Sequence, residues 1–215
     1  MRGAVETTVK AFGIVVGLAG LEHGVGELLQ GNVAPAGVVI KSWPDSPFFS
    51  SLDGEPAMTL VPNLLVTGIL AILASLALLA WVMRYVDGRY GAVGLIGLSG
   101  VLLLVGGGFG PPLLGVILGA TAIGIRSPLS FWRRLLPGGL LAALGTLWPW
   151  ALGVGLVAWL VVSPGVGLLG YWGVDDEALT MGIIAAAFLG LVLAIVSSLA
   201  RDAQTRDAAS GALHG

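Results

Sequence analysis

Apolar residues occur along this chain in long runs that short polar segments separate. A helix needs roughly 20 mostly apolar residues to cross the hydrocarbon core of a bilayer. Six runs approach that length, and they cover residues 10–30, 59–83, 91–108, 111–125, 138–162 and 179–199. The pattern therefore predicts an all-α fold, a polytopic membrane helix bundle of about six transmembrane helices.

The third and fourth runs are shorter than the others, and a segment rich in glycine and proline, residues 106–112, joins them. Each run could cross the membrane, or the two could form a re-entrant hairpin that enters and leaves on the cytoplasmic side. Two crossings are favoured, because irregular backbone exposed to lipid is not tolerated at depth. No Lys-Ser/Thr pair follows these glycines, so a turn is predicted and a phosphate loop is not.

The positions of the charged residues predict the orientation of the bundle. Nine of the ten Lys and Arg residues lie before the first run or after the second, fourth and sixth runs, and only Lys41 lies in the alternate set of loops. Cytoplasmic loops carry the excess of basic residues, so both termini are predicted to be cytoplasmic in a multi-pass protein of the cell membrane. Six of the twelve acidic residues fall in the predicted external loops, at positions 45, 53, 55 and 175–177.

Composition supports this class and excludes several others. The chain is 56% hydrophobic and only 10% charged, whereas a soluble domain carries about 25% charged residues. A formal net charge of −2 argues against nucleic-acid binding as a main role. Cysteine is absent, which excludes thiol catalysis, disulfides, Fe–S clusters and Cys-type zinc sites. We expect no cofactor.

The runs and their connections predict one transmembrane domain, residues 1–201, with a flexible cytoplasmic tail at 202–215. The longest polar segment, the external loop 31–57, contains a β-prone run at 37–40 and a helical turn near Pro47. Between the fourth and fifth runs, the aromatic and basic residues 131–134 predict a short amphipathic interfacial helix.

The first run contains a stripe of glycines at helical spacing. On a helical wheel, Gly13, Gly17, Gly20 and Gly24 fall on one narrow face. Small residues let membrane helices approach closely, so this stripe is predicted to be a packing face. Glu22 points to the opposite side of the helix. Because a carboxylate facing lipid is costly, we expect this helix to be covered on both sides, at the centre of the bundle.

Glu22, His23 and Glu27 are ionisable residues inside the first run, and such residues mark functional sites by default. His23 and Glu27 lie four residues apart on one helix face. They are interpreted as an interhelical hydrogen-bonded pair, as a proton- or cation-binding site, or as part of a metal site. A metal would need further ligands from loop acids, because these two residues supply only two.

Two other features are candidates for the same function. The second run carries Asn63 and Thr67 at the start of a small, polar strip that could face His23 and Glu27. In the fifth run, Trp148, Pro149 and Trp150 predict a kinked helix, which serves as a gate or as a static, packed bend.

Three classes of function follow. The first is a small ion- or proton-coupled transporter or channel that uses the intramembrane Glu and His residues. The second is a non-catalytic subunit or assembly protein that binds a membrane-protein partner, or a second copy, through glycine-rich helix faces and the loop 31–57. The third is an intramembrane enzyme, metal-dependent or acting on lipid, with His23 and external acids. In each class the bundle also contacts membrane lipids. No G-x-S-x-G or H-E-x-x-H motif occurs, so an enzyme is least favoured.

Overall fold

The computed structural model of the protein describes residues 3–52, 54–174 and 176–211. Seven α-helices occupy most of this part of the chain. They are α1 (Ala4–Leu29), α2 (Leu64–Arg84), α3 (Gly91–Leu104), α4 (Gly110–Arg126), α5 (Ser130–Leu135), α6 (Gly138–Tyr171) and α7 (Glu177–Gly211). The predicted all-helical architecture is confirmed.

Four of these helices are long and apolar enough to cross a membrane: α1, α2, α6 and the part of α7 that covers Glu177–Arg206. Helices α3 and α4 are apolar but shorter, with 14 and 17 residues. Large apolar side chains are exposed on the outer faces of α2, α6 and α7, as expected of surfaces that contact lipid tails. A membrane-embedded bundle is therefore supported, and the total of six crossings stays a prediction.

Helices α3 and α4 form a hairpin beside α1 and α2. At one end of the hairpin, the N–H of Leu60 donates to the carbonyl of Leu104 over 3.0 Å. At the other end, Arg126 Nη1 donates to the carbonyl of Asp87 over 3.4 Å. Leu60 precedes α2 and Asp87 follows it, so the hairpin extends along the whole of α2.

The two ends of the bundle differ in composition. One end, here called the loop end, carries residues 31–63 and the turn between α3 and α4. The opposite end, here called the basic end, carries the first residues of α1, the C-terminal ends of α2 and α4, and helix α5 with Arg133 and Arg134. Between the ends lies an apolar core, to which α1, α2, α3, α4, α6 and α7 contribute.

Helix α1 lies at the centre of the bundle and packs against α2, α4, α6 and α7. Its glycine stripe faces α2: a Cβ added at Gly13 would lie 2.7 Å from Val82, and one added at Gly24 would lie 2.9 Å from Ile72. The predicted packing face is confirmed. Because α2 covers it, this stripe is used within the chain and is closed to a partner protein.

The polar segment between α1 and α2 folds as a cap over the loop end. Strands β1 (Val39–Lys41) and β2 (Pro56–Met58) pair in antiparallel register, with Ile40 opposite Ala57. A 3₁₀ helix, Pro47–Leu52, lies between them and packs against α6. The β-prone run and the helical turn predicted near Pro47 are both found.

Helix α7 differs from the prediction at its C-terminal end. Residues 202–211 were expected to begin a flexible tail, but the helix continues to Gly211. The reason is tertiary: Asp202 is buried and accepts the free N–H groups of Ala4, at 2.6 Å, and Val5, at 3.2 Å, at the start of α1. Residues 212–215 of the predicted tail lie outside the described residues. The predicted short helix between the fourth and fifth runs is present as α5.

Candidate functional site

Three polar side chains form a buried chain of hydrogen bonds at the loop end. His23, on α1, is 6% exposed, and its Nδ1 lies 2.8 Å from Ser42 Oγ. Ser42 follows strand β1 and donates through Oγ to Glu27 Oε1 over 3.2 Å. Ser42 and Glu27 are fully buried. Ser42 therefore links the two ionisable residues that lie one helical turn apart on α1.

The second ring nitrogen of His23, Nε2, lies near two carboxylates. His23 Nε2 lies 3.3 Å from Glu55 Oε2, and one ligand atom from each of Glu22, His23 and Glu55 lies within 4.8 Å of the other two. We call these three residues the acid–histidine cluster. Glu22 and His23 are consecutive on α1, whereas the β-hairpin brings Glu55 to them, because the N–H of Ser42 donates to the carbonyl of Glu55 over 2.9 Å.

The hydrogen-bond directions define the chemistry of this cluster. Because the Ser42 hydroxyl donates to Glu27, its oxygen accepts from His23 Nδ1–H. In neutral histidine the Nε2 atom then carries a lone pair that faces Glu55. Within the described residues, Glu22 Oε1 and Glu55 Oε2 are buried and accept no hydrogen bond. A proton shared between two of these atoms would satisfy that pair, whereas a cation could contact all three.

The turn between α3 and α4 closes the site from the side. Gly106 and Gly108 have positive φ angles of 94° and 75°, which glycine adopts without strain. A Cβ added at Gly106 would collide with the carboxylate of Glu27, and one added at Gly108 with the imidazole of His23. The glycines of this turn thus allow its backbone to approach the buried polar residues.

An apolar cavity of about 350 Å³ adjoins the cluster. We call it the main cavity. The cluster supplies its polar wall, and α4, α6 and α7 supply apolar walls. A second space of about 450 Å³, here called the mouth pocket, lies between the cap and α6 and includes Trp43, Phe48 and Leu168. Glu22 and Phe49 line both spaces, so they stand between the mouth pocket and the main cavity.

The two candidates on α2 have separate roles. Asn63 is half-buried, accepts the N–H of Val66 as the helix cap, and contacts Asn32 at 2.5 Å. Thr67 is buried and pairs with the hydroxyl of Thr59 over 2.9 Å. Asn63 does not join the cluster, and Thr67 lies next to Glu27 across Gly106.

The candidates on α6 lie towards the basic end. Trp148 Nε1 donates to Thr8 Oγ1 over 2.9 Å, Trp150 is 72% exposed, and helix α6 continues through Pro149. A proline at position 149 leaves the carbonyl of Gly145 without its helical donor. Arg201 Nη1 donates to that carbonyl over 3.3 Å. The structure does not bring these residues to the cluster, and their role as a gate stays a prediction.

Two residues of the site were not among the sequence candidates. Glu55 and Ser42 belong to the segment between α1 and α2, and the only sequence argument that connected this segment with the site was the need of a metal site for loop acids. The metal ligands considered from the sequence were His23 and Glu27. In the structure Glu27 reaches His23 through Ser42, and the group with metal-ligand spacing is Glu22, His23 and Glu55.

No protein-family model matches this chain, and no curated protein or solved structure is significantly similar to it. Its function is therefore argued from the geometry of the cluster and the cavity alone.

Proposed function

We propose that this chain is a small ion-coupled membrane transporter, in which the acid–histidine cluster binds a proton and the main cavity binds a small amphipathic solute. One observation carries this proposal: a buried histidine lies between a hydrogen-bonded path to Glu27 and a carboxylate oxygen, Glu55 Oε2, that accepts no hydrogen bond within the described residues. Intramembrane acids and histidines commonly form proton relays in transporters.

The chain of contacts provides a balanced route for one proton. A proton on Glu55 Oε2 passes to the lone pair of His23 Nε2, while the proton on His23 Nδ1 passes to Ser42 Oγ. At the same time the hydroxyl proton of Ser42 passes to Glu27 Oε1. One proton is thereby moved from Glu55 to Glu27, and the imidazole changes its tautomer without a net change of charge.

Proton binding and solute binding are coupled because they share one wall. The cluster forms the polar wall of the main cavity, so any change of its charge acts on a solute across a low-dielectric space. A solute that prefers one charge state shifts the protonation of the cluster, and the reverse follows by linkage.

The predicted orientation belongs to this proposal. Arg84, Arg126 and Arg134 lie at the basic end, which we propose to be cytoplasmic, with both chain termini on that side. The loop end and its cap would then face the outside of the cell membrane.

Proton flux into proteoliposomes tests the proposal. The purified protein is reconstituted into vesicles that contain a pH-sensitive dye, and a pH difference is imposed with the membrane potential clamped. We expect Ser42→Ala to slow protein-dependent flux by roughly ten-fold or more, because the relay loses its middle hydroxyl. His23→Ala should abolish it.

Ser99→Ala is the matched control, since Ser99 is also fully buried but its hydroxyl donates only to the carbonyl of Leu95 in its own helix. All variants must elute as monodisperse protein in mild detergent. Wild-type flux that equals that of empty vesicles, or unchanged flux in both site variants, contradicts the proposal.

A second candidate is a metal-dependent membrane enzyme. One nitrogen and two carboxylate ligands within 4.8 Å favour it, together with the orientation of His23 by Ser42, as is usual for a metal-ligating histidine. Three protein ligands leave a coordination position open. Near-stoichiometric zinc, manganese or iron in the purified protein, lost in Glu55→Gln, would favour this function over transport.

A further inference from the structure

Resting on the transport function proposed above, we infer that the solute is a lipophilic organic cation. Its charge would lie between the carboxylates of Glu22 and Glu55, and its apolar body would fill the main cavity. This inference goes beyond the coupling ion and names the chemical class of the molecule that exchanges with protons.

Charge complementarity selects a cation. Glu22 Oε1 and Glu55 Oε2 are buried at the cavity wall and accept no hydrogen bond from the described residues. No Lys or Arg is among the described residues that line the main cavity. An anion placed there would meet two carboxylates, and a neutral apolar molecule would leave their oxygens unpaired in a low-dielectric space. A positive charge compensates both.

The remaining walls of the cavity favour a cation whose body is apolar and can pack against aromatic rings. Four aromatic side chains line the cavity, and they are Phe49, Phe109, Trp159 and Phe188. Trp159 and Phe188 pack edge to face, with ring centroids 5.1 Å apart. Aromatic faces attract organic cations, most strongly where water is excluded. A volume of about 350 Å³ is at the lower end of the range for small-molecule pockets, roughly 300–1,000 Å³.

The mouth pocket, through which the cation would reach the main cavity, is also lined by aromatic rings and a carboxylate. Trp43, Phe48 and Phe49 lie there beside Glu22, which also lines the main cavity. Trp43 stacks on Phe49 with ring centroids 5.8 Å apart, and Phe48 stacks on Tyr171 at 5.1 Å. A cation that enters past these rings meets the carboxylate of Glu22 before it reaches Glu55.

Protons and the organic cation would compete for the same oxygens. The titratable groups that face the cavity are Glu22, His23 and Glu55, with Glu27 behind Ser42. Helices α4, α6 and α7 add no titratable side chain to the described lining. Lys41 and Asp45 of the cap are exposed and do not line it. A proton on a carboxylate removes the charge that would hold the cation, so the bound proton and the bound cation exclude each other.

Equilibrium binding of tetraphenylphosphonium to the protein in lipid nanodiscs tests the inference. Tetraphenylborate has nearly the same shape and the opposite charge, so it tests charge selectivity, and empty nanodiscs measure partition into the lipid. We expect saturable binding of tetraphenylphosphonium alone, weakened about ten-fold or more by either Glu22→Gln or Glu55→Gln.

Glu177→Gln is the matched control, because Glu177 is an exposed carboxylate at the N-terminal end of α7, outside both cavities. Binding by this variant should equal that of the wild type. Non-saturable binding of tetraphenylphosphonium, or saturable binding that both cavity variants retain, overturns the inference.

Failure of the organic-cation inference can be distinguished from failure of the proposed transport function. Proton flux without tetraphenylphosphonium binding overturns the organic cation and leaves proton transport in place. Saturable, Glu-dependent binding without flux in vesicles supports the organic-cation site and contradicts transport. If zinc does not displace bound tetraphenylphosphonium, the metal and the organic cation do not share a site.

Discussion

The carboxylates at the two ends of helix α1 differ in whether their buried oxygens accept hydrogen bonds. At the basic end, Asp202 accepts the N–H groups of Ala4 and Val5, and Arg206 lies 3.6 Å from the same carboxylate. At the loop end, Glu22 and Glu55 hold buried oxygens that accept no hydrogen bond within the described residues. Both groups of residues are largely removed from solvent.

This difference separates a structural role from a functional one. The carboxylate at the basic end gains from folding, since its partners are the otherwise unsatisfied donors of a helix N-terminus. At the loop end, Glu22 Oε1 and Glu55 Oε2 are buried without a hydrogen-bond donor among the described residues, which costs free energy. Chains retain such unsatisfied groups chiefly at binding sites. Substitutions at the two ends should therefore separate stability from activity.

The largest expected effect comes from Gly106→Ala. The added methyl group would collide with the carboxylate of Glu27, and the backbone has a positive φ. Strain and overpacking together should lower the free energy of unfolding by about 4 kcal/mol. Equilibrium unfolding in mixed micelles of mild detergent and SDS measures it.

Gly100→Ala is the control for this substitution. Gly100 lies in α3, and no atom lies within 4 Å of a Cβ added there. Alanine should raise the free energy of unfolding by about 0.5 kcal/mol through helix propensity. If both variants lost similar amounts of unfolding free energy, the close approach of the α3–α4 turn to Glu27 would not be the cause of the loss in Gly106→Ala.

Local patterns predict the helices and the glycine stripe, but they do not predict the assembled site. The stripe follows from small residues at helical spacing on α1, and its partner α2 is the next apolar run, so short-range information suffices. Glu55 reaches His23 only through the register of β1 and β2, and a three-residue strand carries little sequence signal. The length of α7 also escaped prediction, because polar residues such as Asp202 suggest an end of the helix unless their partner on α1 is known.

An intermediate effect is expected from Asp202→Ala at the basic end. The substitution leaves the N–H groups of Ala4 and Val5 without their acceptor and Arg206 without its carboxylate. The free energy of unfolding should fall by about 3 kcal/mol, while proton flux per folded molecule stays at the wild-type value. Asp87→Ala, which removes an exposed carboxylate near the same end, is the control. A loss of flux with intact stability would assign a functional role to the basic end.

The smallest effect is expected from Pro149→Ala, and it decides between a gate and a static bend in α6. Alanine supplies the N–H that the carbonyl of Gly145 lacks, but Arg201 already donates to this carbonyl and lies 4.9 Å from the ring of Trp148. For a static bend, flux should change less than about two-fold and stability by less than about 1 kcal/mol.

A double-mutant cycle with Arg201→Gln sharpens this test. If Arg201 replaces the missing backbone donor, Arg201→Gln should destabilise the wild type by about 1 kcal/mol and the Pro149→Ala variant by less. Additive losses would contradict that role for Arg201. A ten-fold loss of flux in Pro149→Ala at unchanged stability would instead indicate that α6 moves during transport. Residues towards the basic end would then take part in function, and function would not be limited to the loop end.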